Sequence, residues 1–174
     1  SDSDEILDIG QALGAEPLKR PDELSTNLAT GDDLAYWQAS NYQDSDGVVQ
    51  VVPTAPFIQP ESIDKAAHIL REGSFDSVVG VAEERFYFWK DGKPSYFDAE
   101  GRIPNSFQLK PSVYETTGLY MNRTSYVLES KRRMNPNNLA PIQLSKLESI
   151  DINTPEDFEF AEIILNGLKH LAGG

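Results

Sequence analysis

Apolar positions along the chain repeat with two periods, and the switches between them outline the elements. Ile6, Leu7, Ile9 and Leu13 follow the acidic residues near the start at helical spacing. Gly14 stands as the stop, so a helix is expected over about residues 2–13. A proline-broken extended stretch (15–21) and a loop rich in Ser, Thr, Asn and Gly (21–31) lead to a second helix over about 32–42. Residues 48–52, Val-Val-Gln-Val-Val, are β-branched and nearly all apolar. They read as a central strand of a parallel sheet, buried on both faces. Pro60 opens a third helix whose stripe is Ile63, Ala66, Ala67, Ile69 and Leu70, and Gly73 ends it. Residues 75–81 form the next strand, and strand–helix–strand at this spacing is a βαβ unit.

Beyond residue 84 the pattern changes. Residues 85–97 read as an aromatic hairpin turning at Asp91-Gly92, and residues 98–112 are irregular. Residues 115–122 are expected as a strand, followed by short strands at 141–144 and 149–152. Thr154 as N-cap and Pro155 at the first helical position open a last helix reaching about His170, and Gly173-Gly174 is a frayed end.

Composition narrows the function classes. A chain of 174 residues fits one domain. A net charge of −13 excludes duplex nucleic acid and anionic membrane as main partners, but not a single nucleotide, which needs only a local pocket. No apolar run approaches the ~18 residues of a membrane span. Residues 1–5 have neither the basic nor the apolar region of a signal peptide, so a cytoplasmic location is expected. There is no cysteine, which removes disulfides, thiolate chemistry and Cys-based zinc sites. His68 reads as packing or surface and His170 is terminal, so neither is a catalytic base.

Two segments sit where a parallel α/β sheet binds ligands, at the carboxyl ends of strands. One is the rigid loop Pro53-Thr54-Ala55-Pro56-Phe57, which is equally readable as a plain connection. The other is Asp151-Ile152-Asn153. Its first and third side chains project to one face of a strand, where they offer oxygens to a hard cation such as Mg²⁺, or else Asn153 caps the last helix. The loop at 25–31 offers backbone N–H groups and hydroxyls to an anion or a base edge. The aromatic hairpin is an arm for a partner subunit in preference to a covered core edge.

Taken together, these segments resemble the CMP-N-acylneuraminate synthetases and their CMP-legionaminate, CMP-pseudaminate and CMP-Kdo relatives. Ser1-Asp2-Ser3-Asp4-Glu5-Ile6 resembles the family's S-[ST]-D-x-x-E-I segment. Arg20-Pro21-Asp22-Glu23-Leu24 with Asn27-Leu28-Ala29-Thr30 resembles its nucleotide loop. Val52-Pro53-Thr54-Ala55-Pro56-Phe57 resembles its QPTSPL sugar loop. Tyr114-Glu115-Thr116-Thr117-Gly118-Leu119-Tyr120 resembles its E-N-G-x-[IL]-Y strand. The run from Ser149 to Asp157 resembles its SIDIDTPED motif.

The resemblance implies an α/β, Rossmann-like nucleotide-diphospho-sugar transferase fold with a mostly parallel sheet, a protruding dimerisation hairpin and a homodimer. In the implied reaction the anomeric hydroxyl of a 3-deoxy-2-ulosonic acid attacks the α-phosphate of CTP, giving a CMP-sugar and pyrophosphate. Asp151 and Asn153 would hold Mg²⁺. Arg20, Asn27, Ala29 and Thr30 would lie near the nucleotide. Gln50, Thr54, Tyr114 and Glu115 would lie near the sugar, joined by Arg102 and Gln108 from an arm at about 85–113, with Arg102 suited to the sugar carboxylate. Asn27, Val52, Ile58 and Asn153 stand where the family has Asp, Gln, Arg and Asp. The Pro-Thr-Ala-Pro-Phe loop is closer to the pseudaminate and legionaminate branches. The family's first strand and its Gly/Arg/Lys loop for the triphosphate, on the order of 50 residues with the elements that follow, have no counterpart in the sequence. Residues 1–174 are therefore expected as an N-terminally incomplete cytidylyltransferase domain, inactive alone. The alternative is a non-catalytic homologue serving as a dimeric binding or scaffold module.

Overall fold

The computed structural model describes residues 1–95 and 97–172, so Tyr96 of the hairpin and the Gly173-Gly174 end lie outside the described residues. The chain runs α1 (Asp4–Ala12), α2 (Gly31–Asn41), β1 (Gly47–Val51), α3 (Pro60–Glu72), β2 (Ser77–Glu84), β3 (Phe88–Lys90), β4 (Lys93–Ser95), β5 (Ser112–Arg123), α4 (Thr124–Ser130), β6 (Leu139–Gln143) and α5 (Pro155–Ala172). Helix starts follow the capping residues: Ser3 accepts from Ile6 N at α1, and Thr30 with Asp33 closes a reciprocal box at α2.

The central sheet has the order β1-β5-β2-β6. β2 and β6 are parallel, while β5 runs antiparallel to both β1 and β2. The sheet expected as mostly parallel is mixed: three strands share a direction, and β5 lies reversed between two of them. The arm causes this. It leaves β2 at Glu84 and returns at Ser112, directly opposite in the ladder, so the flanking strands must pair antiparallel. β1 is correspondingly not central. It is an edge of the described sheet, with Val49 and Val51 each 41% exposed.

One further expectation changes, and one element is new. Residues 149–152 are not a strand. Ser149 N and Ile150 N donate back to Ser145 O and Leu147 O in a turn. Buried Glu148 fixes that turn by accepting from Ser145 N and Oγ and from Gln59 N. Helix α4, which the sequence pattern did not announce, packs Val127 on Val48 of β1 and on Ala35 and Ala39 of α2. Its seven residues are too few to display a helical period. The main core lies on the other face, where Ala66 and Leu70 of α3 meet Val78, Leu119, Met121 and Ile142.

The C-terminal end of α3 is closed by a side chain from β5. Arg123 donates through Nε to Phe75 O (2.9 Å) and through Nη2 to Leu70 O (2.6 Å) and Gly73 O (3.0 Å). A guanidinium there satisfies orphan carbonyls and complements the helix dipole. Arg123→Met is expected to lower stability by about 1–3 kcal/mol, read as a shift of the urea midpoint at unchanged slope.

The arm holds itself together. Asp91 (φ 51°) and Gly92 (φ 74°) make the left-handed turn expected of a two-residue hairpin. Tyr87 Oη donates to Pro104 O (2.6 Å), Tyr87 packs edge-on against Phe97, and Arg85 bonds Leu109 O at the base. No helix among the described residues is long and apolar enough to cross a membrane.

Candidate active site

The site is built where β5 breaks its ladder. Val79 pairs with Tyr120 and Val81 with Glu115, so the single residue Gly80 faces the four residues 116–119. Such a bulge re-aims side chains. Thr116 turns inward and donates to Gly80 O (3.1 Å), while Thr117 adopts φ 60°, a left-handed conformation unusual for a β-branched residue. Gly118 is required by close approach, since a Cβ there would lie 2.6 Å from Ala55 Cβ of the 53–58 loop. That loop is tied in turn to the segment before α5, because Ile152 N donates to Thr54 O (2.8 Å).

These constraints converge on Asp151. Its Oδ2 faces Thr117 Oγ1 at 3.0 Å and accepts from Asn153 Nδ2 at 2.9 Å. Burial opposes its charge, but hydrogen bonding by Thr54, Asn153 and Thr117 outweighs that, and the carboxyl is held below its ordinary range. The Thr54 hydroxyl is close enough to favour the ionised carboxyl but does not complete a hydrogen bond to Oδ1, which is buried and unbonded. The backbone N–H of Asn153 joins the cap of α5 by donating to Asp157 Oδ2 (3.0 Å), but its side chain turns to Asp151 instead. Thr154 supplies the capping hydroxyl, accepting from Asp157 N.

A carboxylate oxygen with unused lone pairs suits a hard cation, and the Asn153 amide that donates to its neighbour carries a second oxygen of the right kind. Among the described residues no group of three or more acidic, His or Cys side chains stands ready to cage one. The donor set therefore fits an ion that brings other ligands with it, as Mg²⁺ does with phosphates and water. The depressed pKa also makes Asp151 a stability group. The folded state binds fewer protons than the unfolded chain near pH 4. Its contribution is complete above the unfolded value and is lost as pH falls through the folded one. Urea midpoints measured from pH 6 down to pH 2 are expected to fall less steeply in Asp151→Asn than in the wild type.

Around Tyr120 a second group forms. Tyr120 is 1% exposed, its hydroxyl bonds Glu115 Oε1, and burial followed by that bond pushes its pKa up. Gln50 lies opposite Tyr120 in the β1–β5 ladder and so shares its face. Arg133 stacks its guanidinium on the Tyr120 ring, 4.1 Å from the centroid.

The structure thus brings Thr54, Asp151 and Asn153 together and sets Glu115 and Gln50 around Tyr120. Tyr114 is exposed on the arm side of the bulge. The nucleotide-loop residues are engaged otherwise. Arg20 pairs with Asp2 and reaches Ser25 Oγ (3.3 Å). Thr30 N and Oγ1 both donate to Asp33 Oδ2, and Ala29 N bonds Thr26 O. The N–H groups expected to face an anion there are mostly satisfied within the loop, and Asn27 is exposed. Arg102 and Gln108 line a separate cavity of about 380 Å³ within the arm and make no hydrogen bond or ion pair with the Asp151 group. Thr117, Tyr120 and Arg133 were not singled out from sequence. A glycine inside a strand pattern marks the bulge that places Thr117, but Arg133 sits in a Lys-Arg-Arg run that reads as solvated surface.

No family model matches the chain. It is similar to the 3-deoxy-manno-octulosonate cytidylyltransferase of Acaryochloris marina, with 26% identity over 204 aligned residues that cover 95% of this chain and 78% of that protein. It is similar to the CMP-N,N'-diacetyllegionaminic acid synthase of Legionella pneumophila, with 27% identity covering 95% and 75%. Similarity to N-acylneuraminate cytidylyltransferase A of Danio rerio, at 24%, covers 52% of this chain and 21% of that one. Among solved structures the fold is shared with a 4-diphosphocytidyl-2C-methyl-D-erythritol synthase from Anaerococcus prevotii (TM-score 0.63, 14% identity, 95% and 77% coverage). It is shared equally with a CMP:2-keto-3-deoxy-manno-octonic acid synthetase complexed with CTP (TM-score 0.62, 13% identity, 95% and 78% coverage). A Rossmann-like nucleotidyltransferase fold follows from both.

Proposed function

We propose, from the premise that the chain belongs to the CMP-N-acylneuraminate-type cytidylyltransferase family, that it couples CTP to a 3-deoxy-2-ulosonic sugar acid. The anomeric oxygen of the acid forms a bond to the α-phosphorus, the bond from that phosphorus to the β-phosphate oxygen breaks, the hydroxyl proton is released, and CMP-sugar and pyrophosphate result. The observation that carries this reading is Asp151: ionised, fixed by Thr117 and Asn153, and left with one buried oxygen unpartnered. Asp151 and the Asn153 carbonyl would hold Mg²⁺, which when bound neutralises charge on the transferring phosphate. Thr54 and Thr117 keep the Asp151 carboxylate ionised, so the cation meets a full negative charge. Glu115 and Gln50 face the neighbouring space that suits the sugar hydroxyls.

The reading includes a homodimer and a cytoplasmic setting. Residues 1–174 act in it as one cytidylyltransferase domain, with Arg20, Asn27, Ala29 and Thr30 on the nucleotide side and Thr54 and Tyr114 on the sugar side. Support for the dimer comes from the arm, which exposes Phe86, Trp89, Ile103 and Phe107. Apolar exposure of that kind is usual where a second subunit docks. Arg102 and Gln108, which line a cavity within the arm, would then serve the partner's sugar site.

The test is pyrophosphate release by the full-length protein with CTP, Mg²⁺ and a panel comprising 3-deoxy-manno-octulosonate, N-acetylneuraminate and N,N'-diacetyllegionaminate. Release that depends on one of these acids is expected. No release with any of them overturns the reading and leaves a binding module in its place.

A further inference from the structure

Arg133 is the cation the site description leaves unexplained. Its guanidinium has no ion-pair or hydrogen-bond partner among the described residues, in a chain whose acidic side chains outnumber its basic ones by 13. It is nonetheless held in place. Its flat face lies on the Tyr120 ring, 4.1 Å from the centroid. Behind it stands Gly31, the first residue of α2, where a Cβ would run into Nη1 and lie 2.8 Å from Cζ. Its backbone is pinned too, because Arg133 N donates to Asp32 Oδ1 (2.9 Å) and Lys131 turns the chain at φ 56°. A surface arginine of no consequence keeps its rotamer freedom. This one is wedged between a ring and a backbone, half-buried, with its N–H edge uncommitted. Stacking engages only the face of a guanidinium, so the donors remain for a planar acceptor.

The position matters as much as the vacancy. Tyr120 carries Glu115 on its hydroxyl and Arg133 on its ring, and the charges of Arg133, Glu115 and Asp151 all act on that hydroxyl. Arg133 therefore stands against the start of α2 and on the same ring whose hydroxyl holds Glu115 and whose ladder partner is Gln50.

We propose that Arg133 is a substrate-binding residue whose guanidinium takes an oxyanion of one of the two substrates, either the sugar-acid carboxylate or a nucleotide phosphate. The proposal rests on the cytidylyltransferase reading and adds to it the residue that recognises substrate charge. Both oxyanions offer two oxygens in a plane that matches the guanidinium fork.

Three variants of the full-length protein test this: Arg133→Gln, Arg133→Lys and Gly31→Ala. The last keeps every charge. Gly31 has no positive φ, so alanine suits α2 at least as well as glycine, and the three atoms nearest the added methyl all belong to the Arg133 side chain. Initial rates give KM for each substrate, and calorimetry compares CTP with cytidine. Arg133→Gln and Gly31→Ala are expected to weaken one substrate about ten- to a hundredfold, with unchanged melting temperature for Gly31→Ala and a smaller loss for Arg133→Lys. A raised KM confined to the sugar acid identifies the carboxylate. Weaker CTP binding with cytidine unaffected identifies a phosphate. A wild type that turns over while all three variants match its KM values overturns the proposal and leaves the cytidylyltransferase reading intact. A wild type that neither turns over nor binds CTP overturns both.

Discussion

Asp151→Asn is expected to lower the rate of pyrophosphate release by about 10²–10³-fold, the scale of removing one electrostatic contact to a developing phosphate charge. The substitution preserves shape and can still accept from Asn153 and Thr117, so the fold should survive with little loss. What disappears is the full negative charge that burial opposes and the surrounding donors restore. Titrating activity with Mg²⁺ separates the causes. If Asp151 holds the cation, the variant needs far more Mg²⁺ for half-maximal rate, and CTP affinity measured without metal is unchanged. An unaltered Mg²⁺ requirement removes Asp151 from this role and leaves it as a brace between β5 and the segment before α5.

Leu119→Ala is expected to have the largest effect on stability. Leu119 is 0% exposed, ends the bulge, and packs in the cluster with Ala66, Leu70, Val78 and Ile142. Deleting a leucine side chain in such a place costs about 2–5 kcal/mol, a large share of the ~5–15 kcal/mol that holds a domain folded. Leu119→Met, close in volume, should cost less than about 1.5 kcal/mol. Urea unfolding of the two variants checks both values. If alanine is tolerated as well as methionine, Leu119 does not anchor the bulge, and Thr117 must be placed by its contact with Asp151 instead.

Much of this architecture was legible in the sequence because local chemistry dictates it. Thr154 marks a helix start by its side-chain oxygen, Pro60 and Pro155 by their fixed φ, and Asp91-Gly92 marks the turn by tolerating positive φ. The Asp151–Asn153 pairing was legible as well, although an extended loop and not a strand brings the two together. What could not be read is long-range. The reversal of β5 depends on the arm returning to the strand end it left. The place of β1 at the edge depends on which strand claims β5's other side. Arg133 stacks on Tyr120 only because α4 turns the chain at Lys131, and no period or motif in residues 124–133 encodes that meeting. The nucleotide loop illustrates the converse. Thr30 was read only as a residue near the nucleotide, and the structure adds that it caps α2 through a box with Asp33.

The bulge in β5 has a further consequence. Residues 120–122 are paired on both sides, to β1 and to β2, whereas residues 112–115 are paired to β2 alone. One continuous strand thus crosses from the most protected part of the sheet to a two-stranded ribbon with far less holding it. Opening is governed by such local differences, and segments that move are drawn from the weaker side. Thr117, and Asp151 with it, stands on the boundary. The ribbon that carries the arm can fray and re-form as a unit, while the half of the strand bearing Tyr120 stays closed and keeps the site's floor in register.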